Sequence, residues 1–212
     1  FSYFVEFPKN GRRDILERAK EILDVAIDLA EKVRFVSWWW LLYCARHMFD
    51  EYDDNSLWTQ LNPLLGDDGG DEIVGPYIRA SYRRKTPIIE YWRSQTTAIP
   101  RINEDERRSY CLKMPTSAGK TRVAELAILR FLLDFQDAPD TKCVYIAPFR
   151  SLAVEIEKTL QESFLPLGIR VSELYGGFEL SPTERMLIER TRIIIATPEK
   201  IDAFLRYNPE FA

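Results

Sequence analysis

Apolar residues at Ile15, Leu16, Ala19, Ile22, Leu23, Ala26, Ile27, Ala30 and Val33 recur at steps of three and four, with polar residues filling most of the gaps. That rhythm predicts an amphipathic helix with one buried stripe. The stretch Trp38-Trp39-Trp40-Leu41-Leu42-Tyr43 is apolar all round and predicts an interior helix. Consecutive residues on a helix point in different directions, so the three tryptophans are expected to pack in a core or interface rather than to form one stacking platform. Residues 12–84 read as helical throughout, broken by the turn-rich acidic loop Asp67-Asp68-Gly69-Gly70-Asp71. A short helix after it carries Arg79, Arg83, Arg84 and Lys85, a basic group of the kind that usually forms a solvated face.

The rhythm changes near Thr86. Thr86-Pro87 predicts a helix start, with a capping residue followed by proline. From Ser109 onward, strand-like runs alternate with helical patterns. Strands are predicted at Tyr110–Lys113, Cys143–Ala147, Ile169–Leu174 and Ile193–Ala196. Helices are predicted through Val123–Leu133, from Ser151 to Glu162, after the capping box Ser181-Pro182-Thr183-Glu184, and from Pro198. Such alternation argues for a parallel sheet covered on both faces, with ligands beyond the carboxyl ends of the strands. The fold expected is therefore α/β over residues 86–212, preceded by an all-α accessory region over residues 1–85.

Composition narrows this picture without redirecting it. At 212 residues the chain is long enough for a well-packed domain and a smaller one. The longest apolar run, Phe35 to Ala45, is interrupted by Ser37 and falls short of the roughly 20 residues a bilayer span needs. No membrane association or secretory signal is expected, and a first residue other than Met suggests that sequence precedes Phe1. The cysteines, Cys44, Cys111 and Cys143, are odd in number and lack CxxC spacing. They are expected to be reduced thiols buried in a core, in a cytoplasmic chain or, in a eukaryote, a nuclear one. His47 is the only histidine, which sets aside His-based metal sites and Ser-His-Asp triads. A net charge of −4 does not advertise a nucleic-acid binder, but strands held by backbone amides and helix ends need no global positive charge.

The chemistry concentrates at Pro115-Thr116-Ser117-Ala118-Gly119-Lys120-Thr121, between a predicted strand and a predicted helix. Successive backbone N–H groups of Ser117, Ala118 and Gly119 can converge on a phosphate, and Gly119 lets the main chain approach it closely. The helix start adds a favourable partial charge. Lys120 would serve the β- and γ-phosphates, and the Thr121 hydroxyl would ligate Mg²⁺. Against the general phosphate-loop pattern, Met114 replaces the first glycine. Gln95 lies 25 residues ahead of Lys120, and its amide offers both a donor and an acceptor suited to an adenine edge.

These residues resemble superfamily 2 helicases, of the DEAD/DEAH type and in particular the Ski-like branch. Residues 115–121 are similar to motif I, and Tyr91-Trp92-Arg93-Ser94-Gln95 to the adenine-reading Q motif. Ala147-Pro148-Phe149-Arg150-Ser151-Leu152-Ala153 resembles motif Ia, Tyr175-Gly176-Gly177 falls where motif Ib belongs, and Ala196-Thr197-Pro198-Glu199-Lys200-Ile201-Asp202 resembles motif Ic. The resemblance covers residues 86–212 and implies a partial RecA-like P-loop NTPase sheet. It implies ATP and Mg²⁺ as cofactors, with Gln95, Thr116, Ser117, Ala118, Gly119, Lys120 and Thr121 around the nucleotide. It also implies single-stranded DNA or RNA held through Pro148, Arg150, Gly176, Gly177, Thr197 and Pro198. Helix starts and glycines of this kind read backbone, not bases.

Superfamily 2 motors also need an Asp-Glu pair after a further strand, and none follows Thr197 before Ala212. The expectation is the N-terminal part of a longer helicase, lacking motif II and the second RecA-like domain, able to bind ATP but not to turn it over. A second reading makes the aromatic helical region 1–85 a protein-docking module of a multi-subunit defence or repair complex. Antiphage systems of the Hachiman kind, which pair such a helicase with a nuclease, are one form of it. A P-loop kinase would leave Gln95 and Thr197-Pro198-Glu199-Lys200 without a role.

Overall fold

The computed structural model describes residues 2–64, 70–103, 109–174 and 182–209. Helices α1 (Ser2–Asn10), α2 (Arg13–Lys32), α3 (Val36–Asn55), α4 (Leu57–Leu61) and α5 (Gly70–Tyr82) come first. Short helices α6 (Arg93–Thr96) and α7 (Ile99–Asn103) lead to the α/β part. There α8 (Lys120–Asp134), β1 (Cys143–Ile146), α9 (Arg150–Phe164), β2 (Val171–Glu173), α10 (Pro182–Glu189), β3 (Ile193–Ala196) and α11 (Pro198–Tyr207) follow in order.

The three strands form one parallel sheet in the order β1-β3-β2. Its central strand β3 is buried along its whole length, as the unbroken run Ile193-Ile194-Ile195-Ala196 requires. The register Cys143↔Ile193 through Ile146↔Ala196 brings the carboxyl ends of β1 and β3 level with each other. Flanked by helices, this is the α/β arrangement that the strand–helix alternation predicts, a partial RecA-like sheet behind a helical region.

One apolar core crosses from the helical region into the α/β part. Leu57, Leu61, Val74, Tyr77 and Ile78 pack in the same cluster as Leu126, Leu129, Leu160, Phe164, Ile193 and Ile195. A smaller cluster of Phe7, Leu16 and Tyr52 anchors the base of α2 and α3. Among the described residues no helix is long and apolar enough to cross a membrane.

Several local expectations are corrected. Tyr110–Lys113 joins no strand: β1 pairs with β3, and nothing among the described residues offers this segment a ladder partner. Thr86-Pro87 does not start a helix. Leu57 and Tyr91 donate backbone bonds to Ile89 and Asn55 respectively, and Glu90 bridges Ser56, which holds the segment extended until α6 begins. Proline at 87 agrees with this, since it drives the preceding residue away from helical geometry.

α3 is not an interior helix. It packs on α2 along one side only, and of its residues Tyr52 alone is buried, while Trp38 and Trp40 are more than half exposed. The stripe on α2 is covered at Leu16, Ala19 and Ala30 but exposed at Ile22 and Val33. The cysteines are free, as expected, but not buried: Cys44 and Cys111 are exposed and Cys143 is half-buried.

Candidate nucleotide and strand site

The loop before α8 has the backbone that a phosphate cradle needs. Ser117 and Gly119 hold positive φ, +65° and +74°, while Ala118 between them does not. Alternation of this sign turns successive N–H groups toward one side, the arrangement of an anion nest. Ser117 does so with a side chain, a conformation uncommon outside glycine that costs of order 1 kcal/mol and concentrates at functional sites. The 15-residue helix α8 starts immediately at Lys120, with Gly119 as its N-cap and no side-chain cap. Its first amides are therefore available, and the helix dipole favours negative charge there. Lys120 is exposed and has no ion pair among the described residues; Thr116 and Ser117 are exposed, while Ala118, Gly119 and Thr121 are half-buried. These residues fit a phosphate group.

Gln95 stands directly behind this loop. It is 5% exposed, and its Oε1 accepts from the Trp92 N–H at 2.9 Å. Its Nε2 faces the carbonyl oxygens of Ala118 and Gly119, both at 3.4 Å. A Cβ at position 119 would run into that same Nε2, so the glycine is required both by its φ and by the close approach of Gln95. The structure thus brings Gln95 against the loop, with its amide spent on backbone.

A second group lies at the carboxyl ends of β1 and β3. Ala147 N–H donates to Ala196 O at 2.9 Å, which sets Pro148, Phe149 and Arg150 beside Thr197 and Pro198. Two helices, α9 and α11, start there side by side, and neither has a side-chain cap: the N-caps are Phe149 and Thr197. Pro148, Arg150 and Pro198 are exposed and Thr197 is half-buried. Two uncapped helix starts with a free-standing guanidinium suit backbone phosphates. Phe149, 58% exposed on the same edge, is a residue that motif spacing alone does not single out. Gly176 and Gly177 lie outside the described residues.

A buried polar node, missed by sequence reading, fixes α8 in place. Glu125 is 1% exposed, and its Oε2 meets Arg122 Nη1 at 2.5 Å, Ser163 Oγ at 2.7 Å and the Tyr77 hydroxyl at 3.1 Å. Arg84 Nη2 lies 3.7 Å away. Burial and then the Glu125 carboxylate push the Tyr77 phenol up to about 12. Burial works against the Arg122 charge, but Tyr77 and Glu125 outweigh it and hold its pKa above the usual arginine range. The node joins α5, α8 and α9, so the helix carrying Lys120 is held by the helical region as well as by the sheet. Its partners are 38 and 48 residues apart in sequence, and only the Arg122–Glu125 spacing on one helix could have hinted at it.

A family description of the DEAD/DEAH box helicases matches residues 92–211. Across 212 residues the chain is 38% identical to Hachiman protein HamB of Bacillus cereus, covering 99% of this chain and 18% of that protein. It is 35% identical over 103 residues to the DExH-box ATP-dependent RNA helicase DExH14 of Arabidopsis thaliana, 46% of this chain and 5% of that one. It is also 35% identical over 127 residues to the ATP-dependent DNA helicase MER3 of Saccharomyces cerevisiae, 59% of this chain and 10% of that one. The chain thus spans less than a fifth of the length of each of these relatives. With the family match running over both the loop and the paired helix starts, the chain belongs to the DEAD/DEAH box helicases.

Proposed function

We propose that this chain is a part of an ATP-driven helicase of the Ski-like branch that works inside a multi-subunit defence complex, with its helical region as the docking module. The observation that carries the reading is the reach of the similarities. DExH14 and MER3 match 46% and 59% of the chain, whereas the likeness to HamB takes in 99% of it, helical region included. The helical region therefore belongs with a HamB-like protein rather than with helicases at large.

Its surface suits docking. Lys20–Asp50, Lys20–Asp53 and Arg46–Asp24 ion pairs join α2 to α3 along one flank. By helical phase, Ile22, Val25 and Leu29 on α2 and Leu41 and Met48 on α3 lie on the opposite flank, with Val33 just past α2 and Trp38 to its side. All seven are 45–69% exposed, and exposed apolar side chains gathered in this way suit a protein interface.

On the motor side, bound ATP with Mg²⁺ would supply the phosphoanhydride whose hydrolysis drives movement. Ser117, Ala118 and Gly119 amides would hold its phosphates, Lys120 would neutralise their charge and Thr121 would hold the metal. Gln95 would support the loop from behind through its bonds to Ala118 and Gly119. Pro148, Arg150, Thr197 and Pro198, with Gly176 and Gly177, would hold the backbone of a single DNA or RNA strand. Residues 1–212 alone would bind ATP with negligible turnover, the remaining catalytic groups lying elsewhere in the parent. Strand-stimulated ATP hydrolysis by the intact protein tests the motor reading: Lys120→Ala should abolish it, and hydrolysis indifferent to both Lys120 and added strand would overturn it.

A further inference from the structure

The basic group at the end of α5 is solvated, as expected, with Arg79, Arg83 and Lys85 exposed, but it also lines a cleft. Arg79, Arg83, Arg84 and Lys85, with Glu162 and Pro166, line a cleft of about 430 Å³ between the end of α5 and the end of α9, a volume typical of small-ligand sites. The convergence comes from the chain path. α5 stops at Tyr82, Arg83 N–H bonds back to Arg79 O and Ala80 O, and Ile88 N–H returns to Ser81 O, so the cations are wrapped around one turn. Arg79, Arg83 and Lys85 have no carboxylate partner among the described residues; Arg84 lies 3.7 Å from Glu125, and Glu162 is the one carboxylate in the lining. Gathering like charges in this way is unfavourable unless an anion joins them.

Arg84 underlies the same cleft. Its side chain is 10% exposed. Its Nη2 donates to Thr159 O at 3.1 Å and to Ser163 Oγ, yet its Nε is fully buried without a hydrogen-bond partner. A buried guanidinium N–H left unpaired is costly, so Arg84 is held there by its Nη2 bonds and by the nearby Glu125.

The cleft is also remote from the motor edge. α9 starts at Arg150 beside the carboxyl ends of the strands and reaches Glu162 twelve residues later, roughly 18 Å along its axis. It therefore lies toward the opposite edge of the sheet from Arg150 and Thr197.

We propose that this cleft is a separate binding site for a phosphorylated small molecule, with the phosphate held by Arg79, Arg83 and Lys85, and a sugar hydroxyl or amine donated to Glu162. The limited volume of the cleft and the carboxylate in its lining favour a compact phosphate ester over a run of strand phosphates. A carboxylate accepting from sugar hydroxyls is an established recognition device. The proposal does not depend on the docking or motor readings.

The experiment is calorimetric titration of the intact protein carrying Lys120→Ala, which removes competition from the phosphate loop, with ribose 5-phosphate and with pyrophosphate. Both probes should bind. Arg79→Ala and Arg83→Ala, at exposed positions where folding is not at stake, should each weaken both by about tenfold, the fold-change of one lost charge-assisted hydrogen bond. Glu162→Gln should weaken ribose 5-phosphate while sparing or strengthening pyrophosphate. Absence of binding by either probe at millimolar concentration would overturn the proposal, as would binding unchanged in the Arg79→Ala/Arg83→Ala double variant. So would an oligothymidine strand whose binding needs Arg79 and Arg83 while ribose 5-phosphate fails to bind.

Discussion

Glu125→Gln isolates what the buried node contributes. The substitution keeps the shape of the side chain but removes the charge that faces Arg122 at 2.5 Å in a site where Glu125 is 1% and Arg122 about 10% exposed. Breaking a buried pair by removing one partner typically costs about 3–5 kcal/mol, because the surviving charge is left uncompensated. In a chain of this size each kcal/mol lowers the melting temperature by about 2–4 °C, so a fall of roughly 6–20 °C is expected. Thermal unfolding followed by near- and far-UV circular dichroism reads it. Replacing both partners with apolar residues of similar volume, Arg122→Met with Glu125→Leu, should recover at least half the loss, since the desolvation of both charges disappears together. A single variant melting within about 2 °C of the parent would refute the reasoning. A double variant less stable than the single one would do the same.

Other outcomes follow from the same geometry. Gly119→Ala must place a Cβ at φ +74° against Gln95 Nε2; the left-handed backbone alone costs about 1–2 kcal/mol, so affinity for a fluorescent ATP analogue should fall about tenfold or more. An unchanged affinity would remove Gly119 from the cradle. Burial pushes the Cys143 thiol up to about 11, so at mildly alkaline pH iodoacetamide should modify the exposed Cys44 and Cys111 well before Cys143, as peptide mass mapping can check. Tyr77, pushed up to about 12 by burial, keeps its proton in the folded protein while the unfolded chain releases its own near 10. Its contribution is therefore intact below about pH 10 and lost as pH rises toward 12. Denaturant midpoints across that window should fall, and Tyr77→Phe should flatten the decline.

The segments of the candidate site could be located in the sequence because their residues are local. Phosphate loops and helix starts are short segments whose chemistry sits in adjacent positions, so Ser117 to Thr121, Pro148, Arg150, Thr197 and Pro198 could be read directly. Strand register was needed only to show that the last four share an edge. The rest required three dimensions. Periodicity gives the apolar face of a helix but not whether anything covers it, which is why α3 reads as interior although Trp38 and Trp40 lie exposed. A strand exists only with a partner, so the apolar run at Tyr110–Lys113 carries no ladder. Glu125, Tyr77 and Ser163 meet from three different helices, and Arg79 to Lys85 converge only because α5 ends where it does. The first constellation has no signature within one segment, and the second shows in the sequence only as a basic group, without the cleft it lines.

Docking through the hairpin, separate from the motor, is tested most directly by composition of the complex. The protein would be isolated from its native host as wild type, as Leu29→Asp/Trp38→Glu and as Lys120→Ala, with stoichiometry measured by native mass spectrometry and the partner then reconstituted from purified components. Lys120→Ala should retain a stoichiometric protein partner while losing strand-stimulated ATP hydrolysis, and Leu29→Asp/Trp38→Glu should lose that partner while keeping hydrolysis. A partner retained undiminished by the hairpin variant, or an assembly made only of copies of this chain, would contradict the docking role.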